Sequence, residues 1–524
     1  MSDSPAPVTV ARTPPRWEMP ALLLGALLLR LWHLGARSLW TDEGSTWSAA
    51  SAPLHELVRL CAEKDASPPF FYLLTSLALK TGGDEAHLRF VSVVASLGLV
   101  WLTYRLARLF LPRGGSLLAA GFCALSPFQL MFAQEARTYT LVACLAMASL
   151  YCFLRAAVFG RARAWVPYVL VSALALYTQS IALLGVGVQA AVVVLDARAR
   201  RRALPWIAAL AASVVLYLPW FFISLAQMSR LSHSHWYVHR PDLHSVFQVL
   251  RAVFLSPIPL VTPDATATLP GLKAWIPAPL AQLVLTALPV VPLALAARAA
   301  LGGTERAAGL RILLVALLAP LIAVFVVSFR TPLWLPRYFV LLTPSLCVLL
   351  AAGLPGLRPP ALARAWAALL LVASAYACVR VDTDYTKEPW RDVARTIAAS
   401  APRGRTAVLV PFDVDPYRYY NLRLGEPVAA FEVSHPEVPF ASDYTPRQLD
   451  EMTAAAARRT AGFDEVWVVV RSANSEVRRA VAARTERVAA AGRVETGRWT
   501  YTSFAGPLRV ARFDRPGTAA RQMP

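Results

Sequence analysis

The amino-acid sequence predicts an α-helical polytopic membrane protein with a small soluble α/β domain at its C-terminal end. Three observations support this fold class. The chain has 524 residues, of which 56% are hydrophobic and only 16% are charged, against roughly 25% charged residues in an average soluble domain. Its apolar residues form long runs between residues 19 and 379. From about residue 380, acidic residues become frequent and short strand-like runs, such as Ala407–Val410 and Val466–Val470, alternate with helical stretches.

The apolar runs predict about eleven transmembrane helices, because a helix needs about 20 apolar residues to cross a bilayer. These runs lie near residues 19–37, 87–108, 115–133, 138–157, 165–180, 181–195, 204–226, 275–297, 310–329, 337–352 and 362–378. The first run is followed by a Trp-Thr-Asp-Glu segment rather than by a small-residue cleavage site. We therefore expect it to remain as a span and not to be removed as a signal peptide.

The formal net charge of +20 reports the orientation of the chain in the membrane. Nearly all basic residues are arginine, and they concentrate in alternate loops, together with Arg12 and Arg16 at the N-terminus. By the positive-inside rule these loops are cytoplasmic, so the N-terminus lies inside and the C-terminal domain outside the cytoplasmic (inner) membrane of a bacterium. Because the charge follows the topology, the expected partner is the lipid bilayer, and we expect no nucleic-acid partner.

The chain divides into three parts on this basis. Residues 1–18 are predicted to be a disordered cytoplasmic tail, residues 19–379 the transmembrane module, and residues 380–524 the extracytoplasmic α/β domain. The module carries two long outer loops, residues 41–80 and 229–274. In the first of these loops the pattern predicts an amphipathic helix near residues 45–61, followed by a short helix that begins with Pro68.

The outer face collects the unusual polar residues of the membrane module. Each has a structural explanation: Asp42 and Glu43 suit the first turn of a helix, Glu135 and Arg137 can pair with each other, and Arg337 can extend to the membrane surface. Taken together, however, carboxylates and guanidiniums from separate segments reach one side of the membrane. Arginine binds phosphate oxygens in a bidentate manner, and a carboxylate can deprotonate an incoming hydroxyl. The pattern therefore favours a substrate with an anionic phosphate and a reactive centre that needs a base.

These motifs, in this order, resemble the GT-C superfamily. The chain has an acidic pair in the first outer loop, then Asp-x-x-Pro-Pro-aromatic-aromatic-Tyr from Asp65, Gln-Glu-Ala-Arg-x-Tyr from Gln134, and Pro-Arg-Tyr from Pro336. More narrowly, it is similar to the bacterial protein O-mannosyltransferase-like and aminoarabinose-transferase-like enzymes of glycosyltransferase families 39 and 83. The similarity covers about residues 19–391. One departure is Ser67, which stands where the family pattern carries a His before the two prolines.

The resemblance implies a GT-C-like fold and an inverting glycosyltransferase at the outer membrane surface. Such enzymes take a sugar from a polyprenyl-phosphate donor and pass it to a lipid, glycan or protein acceptor. Asp42 matches the general base, and Glu43, the second catalytic candidate, matches a neighbouring carboxylate that helps to hold the donor, the acceptor or a metal. Asp65 and His235 match groups that support the acceptor or a metal. The donor and its phosphate are assigned to Arg137, Arg337, Lys64, Glu135 and Tyr139.

Cofactor use and function class stay open at this stage. The resemblance requires no cofactor, but it allows a divalent metal ion, Mg²⁺ or Mn²⁺, with Glu43, Asp65 and His235 as its ligands. Two alternatives to a glycosyltransferase come from other classes. One is a transporter or flippase for a lipid-linked substrate, and the other is a non-catalytic envelope assembly protein whose functional part is the C-terminal domain.

Overall fold

The computed structural model of the chain describes residues 17–63, 65, 67–233, 240–254, 287–331, 333–400, 404–425, 427–435, 444–471, 476–503 and 506–517. Three of the sequence predictions fall outside these residues. They are nearly all of the N-terminal tail and the two site candidates Lys64 and His235. Of the predicted outer loop 229–274, the described part includes an apolar helix, Leu243–Phe254.

Helices build the membrane part of the protein. In chain order they are α1 Glu18–Leu31, α2 Thr41–Ser51, α3 Leu54–Glu63, α4 Phe70–Leu79, α5 Glu85–Ala107, α6 Arg113–Ala124, α7 Pro127–Ala133, α8 Tyr139–Phe153, α9 Trp165–Leu176, α10 Leu183–Leu195, α11 Ala197–Arg200, α12 Ala203–His233, α13 Leu243–Phe254, α14 Val290–Ala300, α15 Glu305–Val327, α16 Thr343–Gly353 and α17 Pro360–Asp384. A 3₁₀ helix, Pro336–Leu342, leads into α16. All eleven residues of α16 are buried, so this helix lies at the centre of the bundle.

Six segments within the described residues are long and apolar enough to cross a membrane, and the bent pair α6–α7 makes a seventh if it counts as one span. This number of spans in the described residues is lower than the predicted number of about eleven. The runs at 19–37, 165–180 and 181–195 form helices of 14, 12 and 13 residues, which are shorter than a full crossing. Most of the run at 275–297 lies outside the described residues. Apolar composition alone does not show where a helix breaks, and this is the physical reason for the difference.

The first outer loop contains two helices where the sequence predicts one amphipathic helix. The helix expected near residues 45–61 is divided into α2 and α3 at Ala52. Ala52 precedes Pro53 and adopts an extended backbone with ψ of 157°, because the proline ring disfavours a helical residue before it. The short helix after the two prolines is present as α4, with Pro69 as its N-cap residue.

The C-terminal domain is a mixed five-stranded sheet with helices. The strands are β1 Thr406–Pro411, β2 Ala429–Val433, β3 Glu465–Arg471, β4 Val494–Tyr501 and β5 Leu508–Asp514. Their order in the sheet is β2-β1-β3-β5-β4, in which β1 is parallel to β2 and β3 and β5 is antiparallel to β3 and β4. The helices are α18 Trp390–Ser400, α19 Asp415–Asn421, α20 Pro446–Thr460 and α21 Glu476–Ala490. The predicted α/β domain is confirmed, and the two predicted strand runs lie within β1 and β3.

The domain packs against the end of the bundle that carries α2. At Gly44 the approach is close: a Cβ atom there would lie 2.5 Å from the ring of Pro416 in α19. The arginine-rich loops gather at the other end of α5, where Arg202 donates to the carbonyl of Ala157 and Arg306 to that of Ala352. The bundle therefore has one arginine-rich end and one end covered by the soluble domain.

Candidate active site

Asp42 lies in the first turn of α2. This turn is closed by the carbonyl of Trp40, which accepts from the backbone N–H groups of Glu43 and Gly44, both at 3.0 Å. A carboxylate in the first turn is favoured by the positive end of the helix dipole. The Asp42 side chain is 29% exposed, so its carboxylate remains accessible to a substrate.

Two arginines from distant parts of the chain converge on this carboxylate. Arg137 Nε lies 3.9 Å and Arg337 Nη1 3.5 Å from Asp42 Oδ2. Arg137 comes from the short connection between α7 and α8, whereas Arg337 comes from the 3₁₀ helix before α16. Tyr139 lies beside both of them, and its ring centre is 6.0 and 5.7 Å from the two guanidinium carbons. The structure thus brings together four of the predicted site residues, counting Asp42.

The Arg137 side chain is held against α2. Its Nη1 donates to the carbonyl of Asp42 at 3.2 Å and to Thr46 Oγ1 at 3.3 Å. Among the described residues its buried Nε has no hydrogen-bond acceptor. Burial acts to lower the pKa of Arg137, but Tyr72, Tyr139 and the nearby carboxylates raise it well above its usual value. Arg137 therefore stays positively charged, and its Nε makes no hydrogen bond to the described residues.

Asp65 belongs to the same cluster. Its Oδ2 lies 3.9 Å from Arg137 Nη1 and accepts from Tyr72 OH at 2.6 Å. Its Oδ1 accepts from the backbone N–H of Ser67 at 2.9 Å. Ser67, which replaces the family's His, thus contributes a main-chain contact. Asp65 is oriented towards the arginine by the loop that carries the two prolines.

Glu43 has a different environment from its neighbour Asp42. It is fully buried, and Oε1 accepts from Arg89 Nε at 2.7 Å and from the N–H of Ala136 at 2.9 Å. Oε2 accepts from Arg89 Nη2 at 2.8 Å and from Lys387 Nζ at 2.9 Å. Burial raises its pKa, but the two cations and these hydrogen bonds outweigh burial and lower it to about 2. A carboxylate with four donors and no exposed surface is placed to join segments of the chain and not to touch a substrate.

Glu135 is also buried away from solvent. Its Oε1 accepts from Tyr385 OH at 3.2 Å, and burial raises the pKa of this carboxyl above its usual value. Its side chain takes Tyr385, from the segment after α17, as its hydrogen-bond partner. The ion pair with Arg137 that the sequence suggests is not formed between these two described side chains.

The predicted metal ligands do not fit a metal site in the described part of the chain. The described residues contain no group of three His, Cys, Asp or Glu side chains placed to hold an ion. Of the three predicted ligands, Glu43 already has four donors on its two oxygens. His235 lies outside the described residues. The chemistry that these residues support therefore uses no metal ion.

Sequence reasoning did not single out Arg89, Lys387 and Glu388, which support α2. Glu388 is fully buried, and its Oε2 accepts from the backbone N–H of Thr41 at 3.0 Å and from Thr41 Oγ1 at 2.7 Å. Its Oε1 lies 2.6 Å from Arg471 Nε of the soluble domain. The signal available in the sequence was the presence of charged residues at the edges of apolar runs, where such groups are costly.

The fold and one segment of the chain match known proteins. Residues 66–223 match the family model described as dolichyl-phosphate-mannose-protein mannosyltransferase. The fold is similar to that of ArnT from Cupriavidus metallidurans in the apo state, with a TM-score of 0.59 and 16% identity over 94% of this chain and 97% of that chain. Residues 66–223 therefore resemble this family, and the chain shares the fold of ArnT.

Two further solved structures have the same fold as this chain. ArnT from Cupriavidus metallidurans bound to undecaprenyl phosphate matches with a TM-score of 0.54 and 16% identity over 95% of this chain and 98% of that chain. The Archaeoglobus fulgidus oligosaccharyltransferase in the apo form matches with a TM-score of 0.54 and 14% identity over 86% and 69%. No curated protein sequence matches the chain. The predicted resemblance is confirmed for residues 66–223 and for the fold, and the description of the matching family agrees with the predicted class, a glycosyltransferase with a lipid-linked donor.

Proposed function

We propose that the protein transfers a sugar from a polyprenyl-phosphate donor to a hydroxyl group of an acceptor at the outer face of the bacterial cytoplasmic membrane. The transfer inverts the anomeric centre, and Asp42 is the general base. The observation that carries this proposal is the convergence of two buried guanidiniums, Arg137 and Arg337, on the partly exposed Asp42 carboxylate. ArnT, which shares the fold, has been solved with undecaprenyl phosphate bound, and we propose the same class of lipid carrier for this chain.

The two arginines suit the phosphate of such a donor. Both side chains are largely buried, with 12% and 15% exposure. Their contacts with the carboxylate oxygens of Asp42 and Asp65 are longer than 3.4 Å, whereas a charge-assisted hydrogen bond is normally about 2.7–2.9 Å. Phosphate oxygens can therefore enter between them and form the shorter bonds that these contacts lack. Tyr139, beside both guanidiniums, limits their movement.

The reaction then follows as a single displacement. The acceptor oxygen attacks the anomeric carbon and forms the new carbon–oxygen bond while the bond from that carbon to the phosphate oxygen breaks. Asp42 takes the proton of the acceptor hydroxyl, and the polyprenyl phosphate leaves with the bonding electron pair. Arg137 and Arg337 neutralise the charge that develops on it, which is the type of electrostatic stabilisation that contributes most in many enzymes. A phosphate leaving group stabilised in this way needs no general acid.

The remaining predicted residues take supporting roles in this proposal. Asp65, held by Tyr72 and by the N–H of Ser67, orients Arg137. Glu43 and Glu135 act from the buried layer behind the site, where they position α2 and the segment after α17. Lys64, adjacent to Asp65 in the sequence, is proposed as a further phosphate ligand.

The orientation in the membrane is part of the proposal. The arginine-rich end of the bundle faces the cytoplasm, and the soluble domain and Asp42 lie outside. The short apolar helices α9 and α10 would add to the long spans and bring the number closer to the predicted eleven. Cysteine accessibility in intact cells at loop positions on each face would measure this orientation directly.

The decisive experiment replaces the proposed base. Membranes containing the Asp42→Asn variant are supplied with a radiolabelled polyprenyl-phosphate sugar, and incorporation into envelope glycoconjugates is followed. We expect transfer to fall by about 10²–10⁴-fold, while the amount of folded protein stays at the wild-type level. The matched control is Asp392→Asn, because Asp392 is 60% exposed and pairs with Arg395 on the surface.

Two results would count against the proposal in different ways. If Asp42→Asn transfers sugar at close to the wild-type rate, Asp42 is not the base. If the wild-type protein consumes no polyprenyl-phosphate sugar at all, the donor class itself is wrong.

A further inference from the structure

The carboxyl edge of the soluble sheet has the geometry of a ligand site. β1 lies between β2 and β3 and is parallel to both. The chain therefore leaves β1 towards one neighbour and later returns to the other, which makes the carboxyl end of β1 a topological switch point. Ligands of open α/β sheets bind in the crevice beyond such a point. Asp413 follows β1 by two residues, and Arg471 ends β3, so both lie at this edge.

The backbone after β1 adopts an unusual conformation. Phe412 and Asp413 have φ angles of 59° and 49°, in the left-handed region that residues other than glycine rarely occupy. Each such residue costs on the order of 1–2 kcal/mol, and conformations of this kind cluster at functional sites. Because two such residues follow one another, the Asp413 side chain takes a different position from the one it would have if the backbone after β1 were regular.

Asp413 is accompanied by two guanidiniums. Its Oδ2 lies 3.7 Å from Arg471 Nη1 and 3.9 Å from Arg478 Nη1. Both separations exceed hydrogen-bond distance, and all three side chains are partly exposed, by 28–38%. Arg478 also lies over the ring of Phe412, with 4.9 Å to the ring centre. A carboxylate and a guanidinium side by side present an acceptor and donors to neighbouring hydroxyl groups.

This edge of the sheet faces the proposed reaction centre. Arg471 contacts Glu388, and Glu388 accepts two hydrogen bonds from Thr41, the residue immediately before Asp42. The pKa of Asp413 agrees with this placement. Burial raises this pKa to about 6, although the two arginines act to lower it. The negative charge of Asp42 also acts to raise it. The contacts through Glu388 and Thr41 thus connect this edge of the sheet to the turn that carries Asp42.

We propose that Asp413 and Arg478 form the acceptor subsite of the enzyme and bind neighbouring hydroxyl groups of a carbohydrate acceptor. The carboxylate accepts from one hydroxyl and the guanidinium donates to the next, and a further hydroxyl of the acceptor is the one that Asp42 deprotonates. This inference rests on the proposed function, because it concerns the molecule that receives the sugar. It narrows the acceptor class to glycans or glycolipids.

The test separates acceptor binding from donor chemistry. Purified full-length enzyme is given a radiolabelled polyprenyl-phosphate sugar, and two products are measured: free sugar released by transfer to water, and sugar transferred to octyl glycosides of glucose, galactose, mannose and N-acetylglucosamine. For Asp413→Asn we expect kcat/KM for the glycoside acceptor to fall by about 10-fold or more, because a hydrogen bond to a charged group is lost. Release of free sugar should stay at the wild-type rate.

The variants are chosen so that the fold is preserved. Asparagine tolerates the left-handed backbone at position 413 better than most residues do. A second variant, Arg478→Lys, keeps the charge but loses the planar fork, and we expect the same selective loss. Asp450→Asn is the control, because Asp450 is 72% exposed in the same domain and pairs with Arg484. It should change neither product.

Each other outcome has a defined meaning. Unchanged glycoside transfer in both variants, or an equal loss of both products, would overturn the assignment of Asp413 and Arg478 to the acceptor. A wild-type enzyme that releases sugar to water but accepts none of the four glycosides would overturn the carbohydrate class. A wild-type enzyme that consumes no donor in either reaction would overturn the proposed function, and the acceptor subsite with it.

Discussion

Replacing Glu43 by glutamine tests whether this carboxylate joins the protein together or acts on the substrate. In the native protein the buried group consists of one anion, Glu43, and two cations, Arg89 and Lys387, whose side chains are each 1% exposed. Glu43→Gln leaves the two cations without their shared counter-charge. Removing one partner of a buried ion pair typically costs about 3–5 kcal/mol.

The structure places the expected loss at the lower end of that range. Burial and the charge of Arg89 lower the pKa of Lys387 to about 8, and Glu43 is one of the groups that keep it from falling further. Without Glu43, Lys387 can lose its proton near neutral pH and so relieve part of the repulsion. We therefore expect a loss of about 3 kcal/mol, with reduced transfer as a consequence of lost folded enzyme. Adding Lys387→Met removes the second cation, so the double variant should be more stable than Glu43→Gln alone.

The assay is thermal unfolding of the purified protein in detergent, followed by intrinsic tryptophan fluorescence. Glu305→Gln is the matched control, because Glu305 is 97% exposed and should leave the melting temperature unchanged. A Glu43→Gln protein that melts with the wild type and yet transfers no sugar would show that Glu43 acts on the substrate. A double variant no more stable than the single one would refute the electrostatic reasoning.

Two further predictions follow from the same region. Gly44→Ala would place a Cβ atom 2.5 Å from the Pro416 ring and 2.6 Å from its nitrogen, so α2 and the soluble domain must separate. We expect the free energy of unfolding to fall by about 1–3 kcal/mol and sugar transfer to weaken. Gly187→Ala is the control, because its Cβ atom would have no neighbour within 4 Å, and it should change neither quantity. The pH dependence of stability should also report Glu43, whose pKa falls from 4.5 to about 2 on folding. Its contribution, about 3 kcal/mol at most, is present above about pH 4.5 and is lost as the pH falls towards 2, so the melting temperature of the wild type should fall more steeply on acidification than that of Glu43→Gln.

Much of the fold could be predicted from composition and periodicity. Long apolar runs identified the six spans found in the described residues, and alternating apolar stretches identified β1 and β3. The number of spans was not predictable in the same way. α9 and α10 come from apolar runs that look like full crossings, but they end after 12 and 13 residues, and where a helix ends inside a bundle depends on the neighbours that it packs against.

The same distinction between sequence and tertiary structure holds for the proposed site. The sequence by itself identified Asp42, Asp65, Arg137 and Arg337 as site candidates, because charged groups at the ends of apolar runs are costly and mark function, and the family resemblance added Tyr139. Only the tertiary structure decided that Asp42 is partly exposed between two arginines while Glu43, the next residue, is sealed by Arg89 and Lys387. The partners of Glu43 are 46 and 344 residues away along the chain. Burial and charge pairing are set by such distant contacts, which neither composition nor local spacing encodes.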